Sequence, residues 1–187
     1  MIGVVLAGGA SSRFGGQAKG LLPLHGQPMA LRVAGMLALF CERVVIEARA
    51  DAGYEAIGLP VVHARASHEG KGPLAGLAAG VGAAEAHESV AFAPCDMPLA
   101  TAALYGPLIA AGGKGAYAMT RVGVEPLVAV LSAGVRPALL RVLEGEPPRT
   151  HVVLDKLGLR SVLFEDLRPF TNVNTPEDLA RLAGEIR

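Results

Sequence analysis

The run Ile2-Gly3-Val4-Val5-Leu6, continued without a break by Ala7-Gly8-Gly9-Ala10-Ser11-Ser12-Arg13-Phe14-Gly15-Gly16-Gln17-Ala18-Lys19-Gly20, decides the fold. Its first five residues are apolar and of strand length. A strand with no polar face is covered on both sides, as strands of parallel sheets are. The remainder is a long glycine-rich loop carrying two cations and two serines. Gly8, Gly9, Gly15 and Gly16 permit backbone angles that other residues avoid, and they let a ligand approach the chain closely. Successive backbone N–H groups in such a loop can point at phosphate oxygens. Arg13 adds a planar fork and Lys19 a point charge. A tight surface turn with two solvated cations would use the same residues, but length, position after the first strand and both cations favour a triphosphate cradle. Neither the dinucleotide spacing of glycines nor the P-loop spacing ending in Lys-Ser/Thr is present, so NAD and P-loop NTPase readings lose ground.

Outward from this loop the chain repeats a theme of apolar run, Gly/Pro turn and helical stretch. Strands are expected at Arg43 to Ala48, Val61 to His63, Ser89 to Ala93, Ala116 to Met119, Leu127 to Leu131 and Ser161 to Phe164. Helices are expected at Met29 to Phe40, Leu74 to Ala86, Ala102 to Ala111 (capped by Thr101), Arg136 to Leu143, Thr150 to Lys156 and Thr175 to Ile186, the last with Thr175 as cap and Pro176 at its first position. The alternation predicts an α/β fold: a three-layer α/β/α, Rossmann-like arrangement with a mostly parallel central sheet, formed by residues 1–187 as a single domain. Ligands of such sheets bind at the carboxyl ends of the strands, beside a topological switch point. The loops that matter are then 7–20, 63–73, 94–101 and 171–175. Glu144 to Arg149 reads as an exposed turn.

Three of those loops carry further chemistry. Pro94-Cys95-Asp96-Met97-Pro98 comes directly after a buried strand, which places the Asp96 carboxylate where it can hold Mg²⁺ against phosphate oxygens. Gly72 and Pro73 open a helix whose N–H groups can meet a nucleotide or its sugar, while its glycines and alanines can equally serve close packing on the sheet. Asn172 and Asn174 alternate before the last helix and can offer amide groups to a substrate or a metal-bound water. Glu125, before Pro126, is a weaker signal at a strand entry. His25, His63, His68, His87 and His151 lack zinc-site spacing and read as surface or incidental. Cys41 and Cys95 lie in apolar runs and read as reduced and buried.

The bulk composition excludes several classes. Seventeen basic and seventeen acidic side chains cancel, and a nucleic-acid binder needs a basic excess. The longest apolar stretches, Pro28 to Cys41 with Arg32 inside it and the glycine-rich Gly72 to Ala84, fall short of the roughly 18–20 residues of a membrane span. The first residues lack the basic lead of a signal peptide. A cytoplasmic protein is expected.

Taken in order, Leu6-Ala7-Gly8-Gly9 with Ser11, Arg13 and Phe14, then Lys19-Gly20-Leu21-Leu22, Gly72-Pro73-Leu74-Ala75-Gly76, Pro94 to Pro98, Glu125-Pro126-Leu127 and Asn172 to Leu179 resemble the MobA family, the molybdenum cofactor guanylyltransferases. The resemblance implies transfer of GMP from GTP to molybdopterin or Mo-molybdopterin with Mg²⁺, giving the guanine dinucleotide and pyrophosphate. It also implies transient contact with molybdoenzymes or other cofactor-assembly proteins. By resemblance, Leu6, Ala7, Gly8, Gly9, Ser11, Gly72 and Pro73 bind the nucleotide; Arg13, Lys19 and Asp96 bind it and carry catalysis; Asp96 holds the metal; and Glu125, Asn172 and Asn174 face the acceptor. The sequence departs from the family pattern at Ala18, where Asp is usual, and on the nucleotide side at Val45 to Arg49 and His63 to Arg65. A transferase using another base, such as a cytidylyltransferase, and a non-catalytic nucleotide-binding homologue are the alternatives those departures leave.

Overall fold

The computed structural model describes residues 1–9 and 16–185. The first strand, β1 (Ile2–Leu6), lies inside a seven-stranded sheet, and every one of its residues is buried. On one side it pairs in parallel with β4 (Arg43–Glu47), which pairs in parallel with β5 (Val61–Val62). On the other it pairs in parallel with β6 (Ser89–Pro94). Beyond β6 come β8 (Gly123–Ser132), β7 (Gly115–Thr120) and β9 (Arg160–Phe164). Only β8 runs against the common direction within this sheet. The sheet is mostly parallel, as the unbroken apolar strands predict. The chain leaves β1 for β4 and β5 and then returns to β6 on the opposite side of β1. The loops after β1 and β6 therefore diverge, which opens a crevice at their carboxyl ends.

Helices cover both faces. One face carries α1 (Met29–Leu37) and α3 (Tyr105–Ala110), with Val33, Leu37, Tyr105 and Leu108 packed against Val5, Ile46 and Ala91. The other carries α2 (Pro73–Gly82), α4 (Arg136–Leu143) and α5 (Thr150–Lys156), packed on Val4, Val45 and Phe92. A smaller cluster joins the short hairpin of β2 (Pro23–Leu24) and β3 (Gln27–Pro28) to α6 (Pro176–Glu185) through Leu24, Met29, Val173 and Leu182. The α2 helix sits unusually close to the sheet. A Cβ on Gly80 would stand 2.5 Å from the Phe92 ring, and one on Gly76 would stand 2.8 Å from Glu47 Oε2. The small residues of this helix thus serve packing, one of their two expected uses.

Some boundaries differ from expectation. The α-helix expected from Ala102 begins at Tyr105, after a 3₁₀ turn at Ala102–Leu104, and the Thr101 side chain makes no capping bond. Pro107 explains this: it has no N–H to give to the carbonyl four residues back, so it is tolerated only in the first turn. The strand expected from Leu127 begins at Gly123, and its pairing with β7 jumps from Ala129 to Glu125 between neighbouring β7 residues. Pro126 inside the jump cannot donate to the ladder, and a bulge forms around it. The first helix ends at Leu37, three residues early, in a tightened turn where Leu39 and Phe40 donate to Met36 and Leu37.

No helix among the described residues is long and apolar enough to cross a membrane.

Candidate active site

Strand order alone brings the chemistry to one edge. At the end of β1, the Leu6 carbonyl accepts from Cys95 N at 3.0 Å and Ala7 N donates to the Glu47 carbonyl at 2.7 Å. Leu6 and Ala7 are buried by these bridges to β6 and β4, whereas Gly8 and Gly9 emerge exposed from the sheet edge. A Cβ on Gly9 would meet none of the described residues within 4 Å. Ser11 and Arg13, expected to bind the triphosphate, lie outside the described residues.

The far end of the loop is anchored. Gly20 N donates to the Tyr54 hydroxyl at 3.0 Å, and Tyr54 is almost wholly buried. Next to this anchor, the Lys19 ammonium donates to Asp96 Oδ2 at 2.7 Å and to Asn174 Oδ1 at 3.0 Å. Both members of the ion pair are partly buried, with side chains 18% and 20% exposed. The Val173 N–H donates to the Asp96 carbonyl at 2.8 Å, and the Val173 side chain is fully buried. Residues 77 and 155 positions from Lys19 thereby meet at one ammonium group. The two asparagines part company here. Asn174 reaches Lys19, whereas Asn172 Nδ2 turns to the Phe170 carbonyl at 3.3 Å.

Glu125 stands on the same edge. Burial first, and the Asp96 charge second, hold its carboxyl above the usual range. Gly72 and Pro73 are exposed at the start of α2, and Gly72 adopts a left-handed φ of 68°, a turn that a side chain would strain.

Glu47 is inconspicuous in the sequence, yet it is the most deeply buried carboxyl at this edge, 5% exposed. It lies between Gly8 and Gly76, with the Gly8 backbone amide bonded to it. Burial raises its pKa, against smaller opposing effects of that bond and of the His63 charge. The signal for it is an acidic residue ending an otherwise apolar strand. His68 also departs from expectation: it is buried, not superficial. Both cysteines are free and buried, as expected. Desolvation pushes the Cys41 thiol to about 11 and the Cys95 thiol to about 12, so neither is a nucleophile near neutral pH.

Comparison with known proteins gives the chain its family. Residues 3–160 match the model of the MobA-like NTP transferase domain. The molybdenum cofactor guanylyltransferase of Acidiphilium cryptum (strain JF-5) is 38% identical over 181 residues, covering 94% of this chain and 90% of its own. The chain belongs to the MobA-like NTP transferase family. Among solved structures, molybdopterin-guanine dinucleotide biosynthesis protein A from Archaeoglobus fulgidus superposes with a TM-score of 0.77 at 25% identity, over 100% of this chain and 98% of that one. A Mycobacterium tuberculosis H37Rv chain solved as a complex with manganese shares the fold, with a TM-score of 0.68 at 18% identity over 99% and 98% of the two chains.

This edge suits a hard divalent cation. Asp96, with Glu125 close by, offers carboxylate oxygens, and Asn174 an amide oxygen. No cluster of three or more His, Cys, Asp or Glu able to hold a metal occurs among the described residues. One or two carboxylates, completed by substrate phosphates instead of an all-protein cage, is the donor set Mg²⁺ takes.

Proposed function

We infer that this chain is a molybdenum cofactor guanylyltransferase, which transfers GMP from GTP to molybdopterin or Mo-molybdopterin and releases pyrophosphate. The observation that carries the reading is the convergence of Lys19, Asp96 and Asn174 at the sheet edge where Gly8 and Gly9 emerge exposed. Residues 1–187 act as one nucleotidyltransferase domain, in the cytoplasm, in transient contact with molybdoenzymes or other cofactor-assembly proteins.

The chemistry is dictated by the charges. A terminal phosphate oxygen of the acceptor attacks the α-phosphorus of GTP, the bond to the β-bridging oxygen breaks, and that oxygen leaves with pyrophosphate. The nucleophile is already an anion, so no strong base is needed. The barrier is repulsion between anions and the cost of alignment. Gly8 and Gly9 let the triphosphate approach the backbone, and Arg13 with Lys19 offset its charge. Gly72 and Pro73 border the nucleotide at the start of α2. Asp96 is the residue that would hold Mg²⁺, with Glu125 beside it; the ion, when bound, would neutralise phosphate charge. Asn172, Asn174 and Glu125 orient the acceptor. Lys19 holds Asp96 and Asn174 in one arrangement, which links the metal side to the acceptor side.

The test is pyrophosphate release from GTP with molybdopterin and Mg²⁺, with CTP in a parallel reaction. Asp96→Ala should abolish turnover, and Lys19→Ala should lower both triphosphate affinity and rate. Wild-type turnover by Asp96→Ala, or preference for CTP, would refute the assignment.

A further inference from the structure

On the α2 face, away from the Lys19–Asp96–Asn174 edge, lies a cavity of about 270 Å³. Small side chains of α2, Ala75 and Ala78 among them, form its floor. Its walls carry His63, Arg65, His68 and Arg136 and no carboxylate. His63 and Arg65 come from the loop that borders the nucleotide side, and His68, Arg136 and the alanine floor lead away from it along α2.

Three features mark it as built for an anion. His68 is only 8% exposed, and its ring makes no hydrogen bond or ion pair with the described residues. No fully buried side-chain nitrogen or oxygen among the described residues lacks a partner, so the unbonded His68 ring nitrogens open onto the cavity, where a ligand can reach them. Arg136 is held flat on the α2 backbone. The point where a Gly82 Cβ would sit lies 3.3 Å from one terminal guanidinium nitrogen and 3.4 Å from both its carbon and Nε. Gly82 therefore admits the guanidinium plane, and the N–H donors of Arg136 and Arg65 have no acceptor among the described residues. Finally, His63 Nδ1 lies 2.8 Å from the Ala48 carbonyl, which can only accept, so Nδ1 carries the proton and the ring orientation is fixed.

The arginines and histidines are spread along the groove. Arg65 and His68 belong to the loop entering α2, and Arg136 sits at the last residue of that helix. Ala75 to Gly82 spans about 10 Å at helical rise. We propose that this groove is a second binding site, for a small phosphorylated organic molecule. Its phosphoryl group sits at His68, Arg65 and His63, its flat apolar body lies on the alanine floor, and its far end meets the Arg136 guanidinium, which stacks well on planar rings.

The test is a side-chain and backbone NMR titration of the full chain with phenyl phosphate and, separately, inorganic phosphate. Phenyl phosphate should shift the His68 ring and the Ala78 and Gly82 amides saturably and bind more tightly than inorganic phosphate. The double substitution Arg65→Gln with Arg136→Gln, both exposed positions, should weaken it about tenfold or more with an unchanged melting temperature. Asp96→Asn should leave it intact. Equal affinity for both probes, shifts that never saturate, full binding by the double variant, or loss on Asp96→Asn would each overturn the proposal.

Discussion

A methyl group on Gly76 would stand 2.8 Å from Glu47 Oε2 and 3.1 Å from its carboxyl carbon. Alanine is the better helix former by up to about 1 kcal/mol, so the close contact decides the sign. Gly76→Ala should destabilise the protein by about 1–2 kcal/mol. In a Glu47→Ala background the same change should become stabilising. Urea unfolding of the four proteins of this cycle measures the coupling, and simple additivity would show that the two residues do not compete for space. Glu47 also makes a pH prediction. Its folded pKa is raised by burial, so the folded state holds a proton that the unfolded chain has released. That contribution to stability is complete below the unfolded value, near about 4.3, and is lost as pH rises through the folded value. Glu47→Gln should therefore gain on the wild type as pH rises above about 4.3, with the difference closing at the acid end. Melting temperatures across that range check it; a constant offset would contradict it.

Helix termini set the site at the scale of elements. Thr175 Oγ1 accepts from Asp178 N at 3.1 Å, and Asp178 Oδ2 accepts from the N–H groups of both Asn174 and Thr175 at 3.0 Å. This reciprocal cap holds α6 and, through the Asn174 backbone, the amide that meets Lys19. Removing such a cap costs about 1 kcal/mol. Thr175→Ala should lower stability by that amount and also reduce turnover, because Asn174 loses its fixed approach. Loss of stability with unchanged kcat and KM would separate the cap from the site. The cap was legible in Thr175-Pro176-Glu177-Asp178. The α3 start was not, because Thr101 offered a cap signal that Pro107 overrode by displacing the first α turn.

The whole molecule is stitched on the edge opposite the site as well. Glu88, largely buried, accepts two bonds from Arg43 at 3.1 and 2.9 Å and one from Glu85 N at 2.8 Å, and its carboxylate lies 3.8 Å from the terminal amine of Met1. It ties the starts of β1 and β4 to the approach of β6. Hydrogen bonds to a charged group contribute about 1.5–3 kcal/mol. Glu88→Ala should lower unfolding free energy by about that range while leaving nucleotide affinity unchanged, because the site lies at the other ends of the same strands. Urea unfolding together with a GTP titration measures both quantities, and a parallel fall in affinity would mean the two edges are coupled.

Local sequence determined the strands and most helices, because apolar runs of strand length and the helical spacing of Met29, Val33, Met36, Leu37 and Phe40 leave little choice of period. It also determined which loops could carry chemistry, since glycines, Asp96 and the Asn172–Asn174 segment are chemically conspicuous wherever they fall. Tertiary structure alone decided that Lys19, Asp96 and Asn174 share one contact, since strand order brings together residues 155 positions apart. It decided that Asn172 bonds back to the Phe170 carbonyl while Asn174 reaches Lys19. It also gave Glu47 and His68 their weight, for burial depends on what packs above a side chain, and no neighbour in sequence reports that.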